Sequence, residues 1–173
     1  MNSLINDYKN IALSDNECLQ LVNGKANVIL YENLIYCNDI DQLINPYGAC
    51  FLLYETKKNY GHWCAIIKLN NTTVEFFDPY GVFPDDELKW IPENTKKVLN
   101  SDKPYLTSLL YNSQYNIDYN EHKFQKYSKN IKTCGRWCAV RIYLKYLSLD
   151  EFTHLFKNNG DNKVTLLTMW INE

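Results

Sequence analysis

The segment RWCAVRIYLKYLSL, Arg136 to Leu149, is apolar around most of its helical circumference. A surface helix keeps a polar face, so this one belongs in the middle of a domain, enclosed by other elements. Candidates to enclose it lie upstream. Three apolar, β-branched or aromatic runs, ACFLLYE, HWCAIIKL and TVEFFD, follow in quick order with polar turns such as KLNNTT between them. Such spacing predicts adjacent antiparallel strands. Strands first and an enclosed helix later make an α+β fold.

Weaker signals fill in the rest. SDNE, Ser14 to Glu17, is a capping box opening a short helix ECLQLV that Gly24 can close. NVILY reads as a strand, and NDIDQLIN as a short helix capped by Asn38 and ended before Pro46. After DPYG a charged stretch with helical content runs to Lys103; YLTSLLYN fits helix or strand, and QYNIDYN a further strand. Two short helices, capped near Asp150 and Asp161, come last. With no repeat or linker, the 173 residues read as one domain, 1–173.

Charge and composition exclude several classes. Lys and Arg number 18 against 20 Asp and Glu, a net charge of −2 that gives no electrostatic footprint for nucleic acid. ETKKNY and the lysines after Lys123 read as solvated faces. The opening MNSLINDYKNIALSDNE lacks a basic start followed by an apolar run, and no long apolar stretch occurs, so neither a signal peptide nor a membrane span is expected. A soluble, cytosolic chain keeps its thiols reduced. Of the six cysteines, four lie in apolar stretches and read as small buried hydrophobes.

Cys134 is different. It stands at the first turn of the enclosed helix, where free backbone N–H groups and the helix dipole stabilise a thiolate. Gly135 would let a substrate backbone approach and leave the Cys134 N–H free to donate to an oxyanion. Cys138, one turn further in, reads as core. A nucleophile needs a base, and the chain has three histidines. His122 and His154 read as ordinary surface or half-buried residues, whereas His62 opens the strand HWCAIIKL, where a ring can project into a cleft. Asp78 ends the next strand, and antiparallel neighbours can bring it to His62 as the carboxylate that fixes the tautomer. Gln125, in HKFQKY, is the obvious amide for an oxyanion.

The order GHW, FFDPYG, Gln, TCGRW resembles the adenovirus-type and Ulp1-type cysteine proteases, and most closely the capsid-maturation proteases of virophages and related small DNA viruses. The resemblance runs from about Ala49 to Leu147. It implies a papain-like fold in which a mostly antiparallel sheet packs on a buried helix carrying the nucleophile, with flanking helices. It implies Cys134 as nucleophile, His62 as base and then acid, Asp78 as orienting carboxylate and Gln125 in the oxyanion hole. Trp63 would narrow the channel over the substrate and favour glycine there. Gln125 precedes Cys134 by nine residues, a wider gap than in the cellular enzymes, which the loop KYSKNIK takes up.

By the same resemblance the substrates would be capsid or core precursors cut at glycine-containing sites, in the host cytoplasm or virus factory and the virion. No cofactor is implied. The adenoviral relative is activated by a peptide and DNA; the near-neutral charge here argues against a DNA requirement and leaves a peptide activator open. Three other readings compete. The site could remove ubiquitin-like tails as an isopeptidase, or persist in an inactive binding module. His62, Cys64, Cys134 and Cys138 could also hold zinc, though H-x-C and C-x₃-C are unlike the usual C-x₂-C pairs and leave Asp78 and Gln125 unused.

Overall fold

The computed structural model describes residues 2–169. Five strands, β1 (Asn27–Leu30), β2 (Ala49–Lys57), β3 (Tyr60–Lys68), β4 (Thr73–Phe77) and β5 (Asn116–Tyr119), form one sheet in that order. The three apolar runs are β2, β3 and β4, paired antiparallel as expected. The sheet is less uniformly antiparallel than expected, because both edges, β1 on β2 and β5 on β4, pair parallel.

Eight helices surround it: α1 (Asn2–Lys9), α2 (Asp15–Leu21), α3 (Asp41–Ile44), α4 (Glu93–Val98), α5 (Tyr105–Tyr111), α6 (Cys134–Tyr143), α7 (Leu149–Leu155) and α8 (Gly160–Thr168). Short 3₁₀ segments span Tyr31–Tyr36 and Asp86–Trp90. Ser14 and Glu17 cap α2 reciprocally. Ambiguous YLTSLLYN resolves to α5, which buries Leu106, Leu109 and Leu110. α1 carries no strong sequence signal of its own; its last turn is tied down through the Tyr8 and Lys9 carbonyls, which accept from Arg136 Nη2 (3.5 Å) and the Lys132 N–H (2.7 Å).

The central strands are apolar on both faces because both faces are covered. Phe51, Leu53, Trp63, Ala65 and Ile67 pack towards α6, α2 and α7. Cys50, Leu52, Tyr54, Cys64 and Ile66 point to the other face, under Leu34, Leu43 and α5. α6 is enclosed as its composition requires, with Trp137 and Cys138 fully buried and Arg136 and Arg141 each 1% exposed. Arg141 is accommodated by a bidentate pair with Glu75 of β4, both distances 2.7 Å, and its Nη1 donates to the Leu144 and Leu147 carbonyls. A guanidinium can be buried at such a place only with its donors paired in this way.

Candidate active site

His62 stands opposite Tyr54 near the start of β3, and the β3–β4 register pairs Ala65 with Phe77. One step beyond Phe77, Asp78 leaves the sheet at the end where His62 lies. The expected meeting takes place: His62 Nε2 is 3.0 Å from Asp78 Oδ1. Asp78 is fully buried and held on every side. Its Oδ1 also accepts from the Tyr80 N–H (2.7 Å) and its Oδ2 from the Cys64 thiol (3.2 Å). Asn120 clamps its backbone, accepting from the Asp78 N–H at 2.9 Å and donating to the Asp78 carbonyl at 2.6 Å.

The turn that follows sets Gln125. The Pro79 carbonyl accepts from the N–H groups of Phe124 and Gln125, both at 2.9 Å. Gly81 is needed there: φ is +70°, and a Cβ would stand 2.7 Å from the Glu121 carbonyl oxygen. Gln125 therefore reaches the cleft, but its Nε2 donates to Tyr80 Oη and the Ile131 carbonyl, each at 3.1 Å, and its Oε1 has no partner. Both amide hydrogens are engaged, so an oxyanion has to win one of them from Tyr80 or Ile131.

Cys134 is the first residue of α6 and is 6% exposed. Its helix is anchored by Asp161, whose Oδ1 accepts from the Thr133 hydroxyl (2.7 Å) and Trp137 Nε1 (2.9 Å), while Oδ2 accepts from the Lys126 N–H (3.0 Å). On the sequence Asp161 is a helix cap; in the fold its carboxylate is spent across the molecule, and Asn159 takes the cap position of α8. Cys134 and His62 line the same cleft. With Nε2 on Asp78, Nδ1 is the atom left to take the thiol proton. Burial lowers the His62 pKa, but Asp78, Cys134 and Glu87 outweigh it, and the imidazole is held well above its ordinary value.

Two neighbours of His62 escape sequence reading. Tyr80 stacks on the imidazole, centroids 4.5 Å apart and planes 14° apart. Glu87, from the 3₁₀ segment Asp86–Trp90, puts Oε1 3.8 Å from His62 Nε2, too far for a hydrogen bond, and that oxygen has no partner. Burial raises the Glu87 pKa to about 7, with His62 pulling the other way. Tyr80 lies in the DPYG motif, which could have marked it; Glu87 sits in the charged, helix-like stretch after that motif, where nothing singles it out.

His62, Tyr80, Glu87, Trp90, Gln125 and Cys134 line one cleft of about 410 Å³. A second cavity of about 270 Å³, with Trp63 and Leu13 in its wall, shares Ala12, Tyr60 and Gly61 with it. Trp63 is 4% exposed, and its indole N–H donates to the Leu13 carbonyl at 3.0 Å. A Cβ on Gly135 would meet Cys18 Sγ at 3.0 Å, Trp63 Cδ1 at 3.2 Å and Leu13 Cβ at 3.3 Å. The missing side chain of Gly135 thus serves close packing of α6 on α2 and Trp63, rather than the open substrate approach the sequence suggests.

The four-residue zinc set does not come together. Cys138 lies across β3 from Cys64, its thiol donating to the Trp63 carbonyl. Burial drives the pKa values of Cys18 and Cys138 upward, as befits inert core thiols.

These features define an α+β protein with a thiol and an imidazole in the wall of one cleft and a buried carboxylate bonded to the imidazole. Protein V9 of Sputnik virophage is 43% identical over 169 residues, spanning 94% of this chain and 97% of its own length, and the chain belongs to the family of that protein. No family model matches the sequence. Among solved structures, the pS273R protease of ASFV aligns over 92% of this chain and 68% of its own, at 16% identity and a TM-score of 0.48. The central domain of Lpg1148 from Legionella pneumophila aligns over 93% and 94%, at 17% identity and a TM-score of 0.40. Among the described residues no helix is long and apolar enough to cross a membrane.

Proposed function

We propose that this protein is a viral cysteine endopeptidase of the adenovirus/Ulp1 type. The observation that carries the reading is His62, bonded through Nε2 to a fully buried Asp78 and lining one cleft with Cys134 at the start of α6. Cys134 passes its proton to His62 and attacks the scissile carbonyl carbon, and the carbonyl π electrons move onto oxygen. The Cys134 backbone N–H and one Gln125 amide hydrogen, freed from Tyr80 or Ile131, stabilise that oxyanion. Its collapse breaks the C–N bond, and imidazolium protonates the leaving amine. Water, deprotonated by His62, then hydrolyses the thioester. No cofactor takes part.

Capsid or core precursors cut after glycine are the proposed substrates, during virion assembly in the host cytoplasm or virus factory. Trp63 is proposed to limit side-chain size through the cavity it walls. Neither nucleic acid nor a membrane is required in this scheme, and an activating peptide would act on the same assembled site.

The test is alkylation of chelator-treated native protein with iodoacetamide at mildly acidic pH, located by mass spectrometry. Cys134 should react far faster than the other five cysteines, with the excess lost in His62→Ala. Equal rates at Cys134 and the exposed Cys37 would end the peptidase reading.

A further inference from the structure

We propose that His62, Cys64 and Asp78, with Glu87 beside them, form a binding site for a zinc-like divalent cation, on the side of the imidazole away from Cys134. His62, Cys64 and Asp78 each offer one donor atom, and the three atoms lie within 4.8 Å of one another, all buried. Nε2 to Oδ1 is 3.0 Å, Sγ to Oδ2 is 3.2 Å and Nε2 to Glu87 Oε1 is 3.8 Å. Donors around a tetrahedral zinc stand roughly 3.3–3.7 Å apart, a spacing that falls inside the 4.8 Å within which these three atoms lie.

Glu87 supplies the independent observation. The residue is 8% exposed, its Oε1 has no hydrogen-bond partner, and it faces this group. A buried carboxylate oxygen left bare is costly and needs an occupant. A divalent cation there would join two anionic donors and a neutral imidazole, with the Glu87 carboxylate adding negative charge beside them. One nitrogen, one sulfur and one carboxylate oxygen select zinc, or cobalt as its probe, over calcium or magnesium.

The proton balance is simple. Three donor–metal bonds form; the Cys64 thiol proton, any proton on Nε2 and any proton on Glu87 pass to solvent, and nothing is oxidised or reduced. Binding breaks the Nε2–Asp78 bond and leaves the one proton of the neutral ring on Nδ1, the atom that would otherwise take the proton of Cys134. The metal would thus switch off Cys134 without touching it, a consequence that rests on the peptidase reading; the binding itself does not.

The experiment is titration of chelator-stripped native protein with Co²⁺ under argon, following thiolate-to-cobalt absorption, with native mass spectrometry for stoichiometry. One ion per chain is expected, with the absorption lost in Cys64→Ser and kept in Cys134→Ser. Glu87→Gln, nearer the surface and a safeguard should the Cys64 variant fail to fold, should weaken binding at least about tenfold. Absorption that survives in folded Cys64→Ser but vanishes in Cys134→Ser would overturn the proposal, as would unchanged affinity in Glu87→Gln or no uptake by the folded wild type. All of these are read without substrate, so they are separable from failure of the alkylation test.

Discussion

Two buried charged sites join the same pair of elements, and they are built differently. At one end of α6, Arg141 meets Glu75 of β4 through two bonds of 2.7 Å, and the remaining donors go to carbonyls. At the other end, Cys134 meets His62 beside Asp78, which follows β4, and Glu87 Oε1 and Gln125 Oε1 lack partners. The first site is saturated and can only hold the helix down. The second is short of partners, so it has capacity for a proton, an oxyanion or an ion. In one helix–strand pair, completeness marks structure and shortfall marks chemistry.

The sharpest way to break the comparison is to exchange the consequences. Cys134→Ala should abolish peptide cleavage, a loss of at least about 10⁴-fold, while changing unfolding free energy by less than about 0.5 kcal/mol. Arg141→Ala should do the reverse. It leaves Glu75 buried without a counter-charge, which costs about 3–5 kcal/mol, measurable by urea unfolding; a stability close to wild type would show the pair to be dispensable. The Cys134→Ala activity would be measured on glycine-containing peptides, and retained cleavage would move the nucleophile elsewhere.

Asp161→Ala comes next. It strands the Thr133 hydroxyl, the Trp137 indole N–H and the Lys126 N–H, and should cost about 1–3 kcal/mol. Because it loosens the start of α6, alkylation of Cys134 should slow as well, whereas a lesion confined to stability would leave the native-state rate alone.

The smallest effect belongs to Glu87. Its pKa rises from 4.5 in the unfolded chain to about 7 in the fold, so the folded state prefers the protonated form. The stability this gives is complete below about pH 4.5 and is lost as pH climbs through about 7. Glu87→Gln, in metal-free protein, should flatten the decline in melting temperature across that window. An unchanged slope would place the titration on another group.

The parts legible in the sequence are those whose cause is local. β2, β3 and β4 follow from continuous apolar runs, α2 from its capping box and α6 from an unbroken apolar surface. His62 and Asp78 could be paired because adjacent strands carry a register. Residues whose role is fixed by distant partners stayed hidden. Asp161 looks like a cap until Thr133 and Lys126 arrive, Glu87 is one acid in a charged stretch until the 3₁₀ turn carries it to the imidazole, and Cys64 looks like core until its thiol donates to Asp78. Gly135 misled in the same way, since its packing partners Cys18 and Leu13 lie more than a hundred residues upstream.

The span of those ties has a consequence in time. The start of α6 is fastened to Lys9 through Lys132 and to Asp161 through Thr133. During synthesis, then, histidine and cysteine can both be outside the ribosome while the pair between them is still unbuilt, and a chain stopped before Asp161 should show Cys134 alkylated no faster than Cys37. On the peptidase reading, a chain that has not yet reached Asp161 carries the histidine and the cysteine without the contacts that set the start of α6, and is harmless to the precursors made beside it.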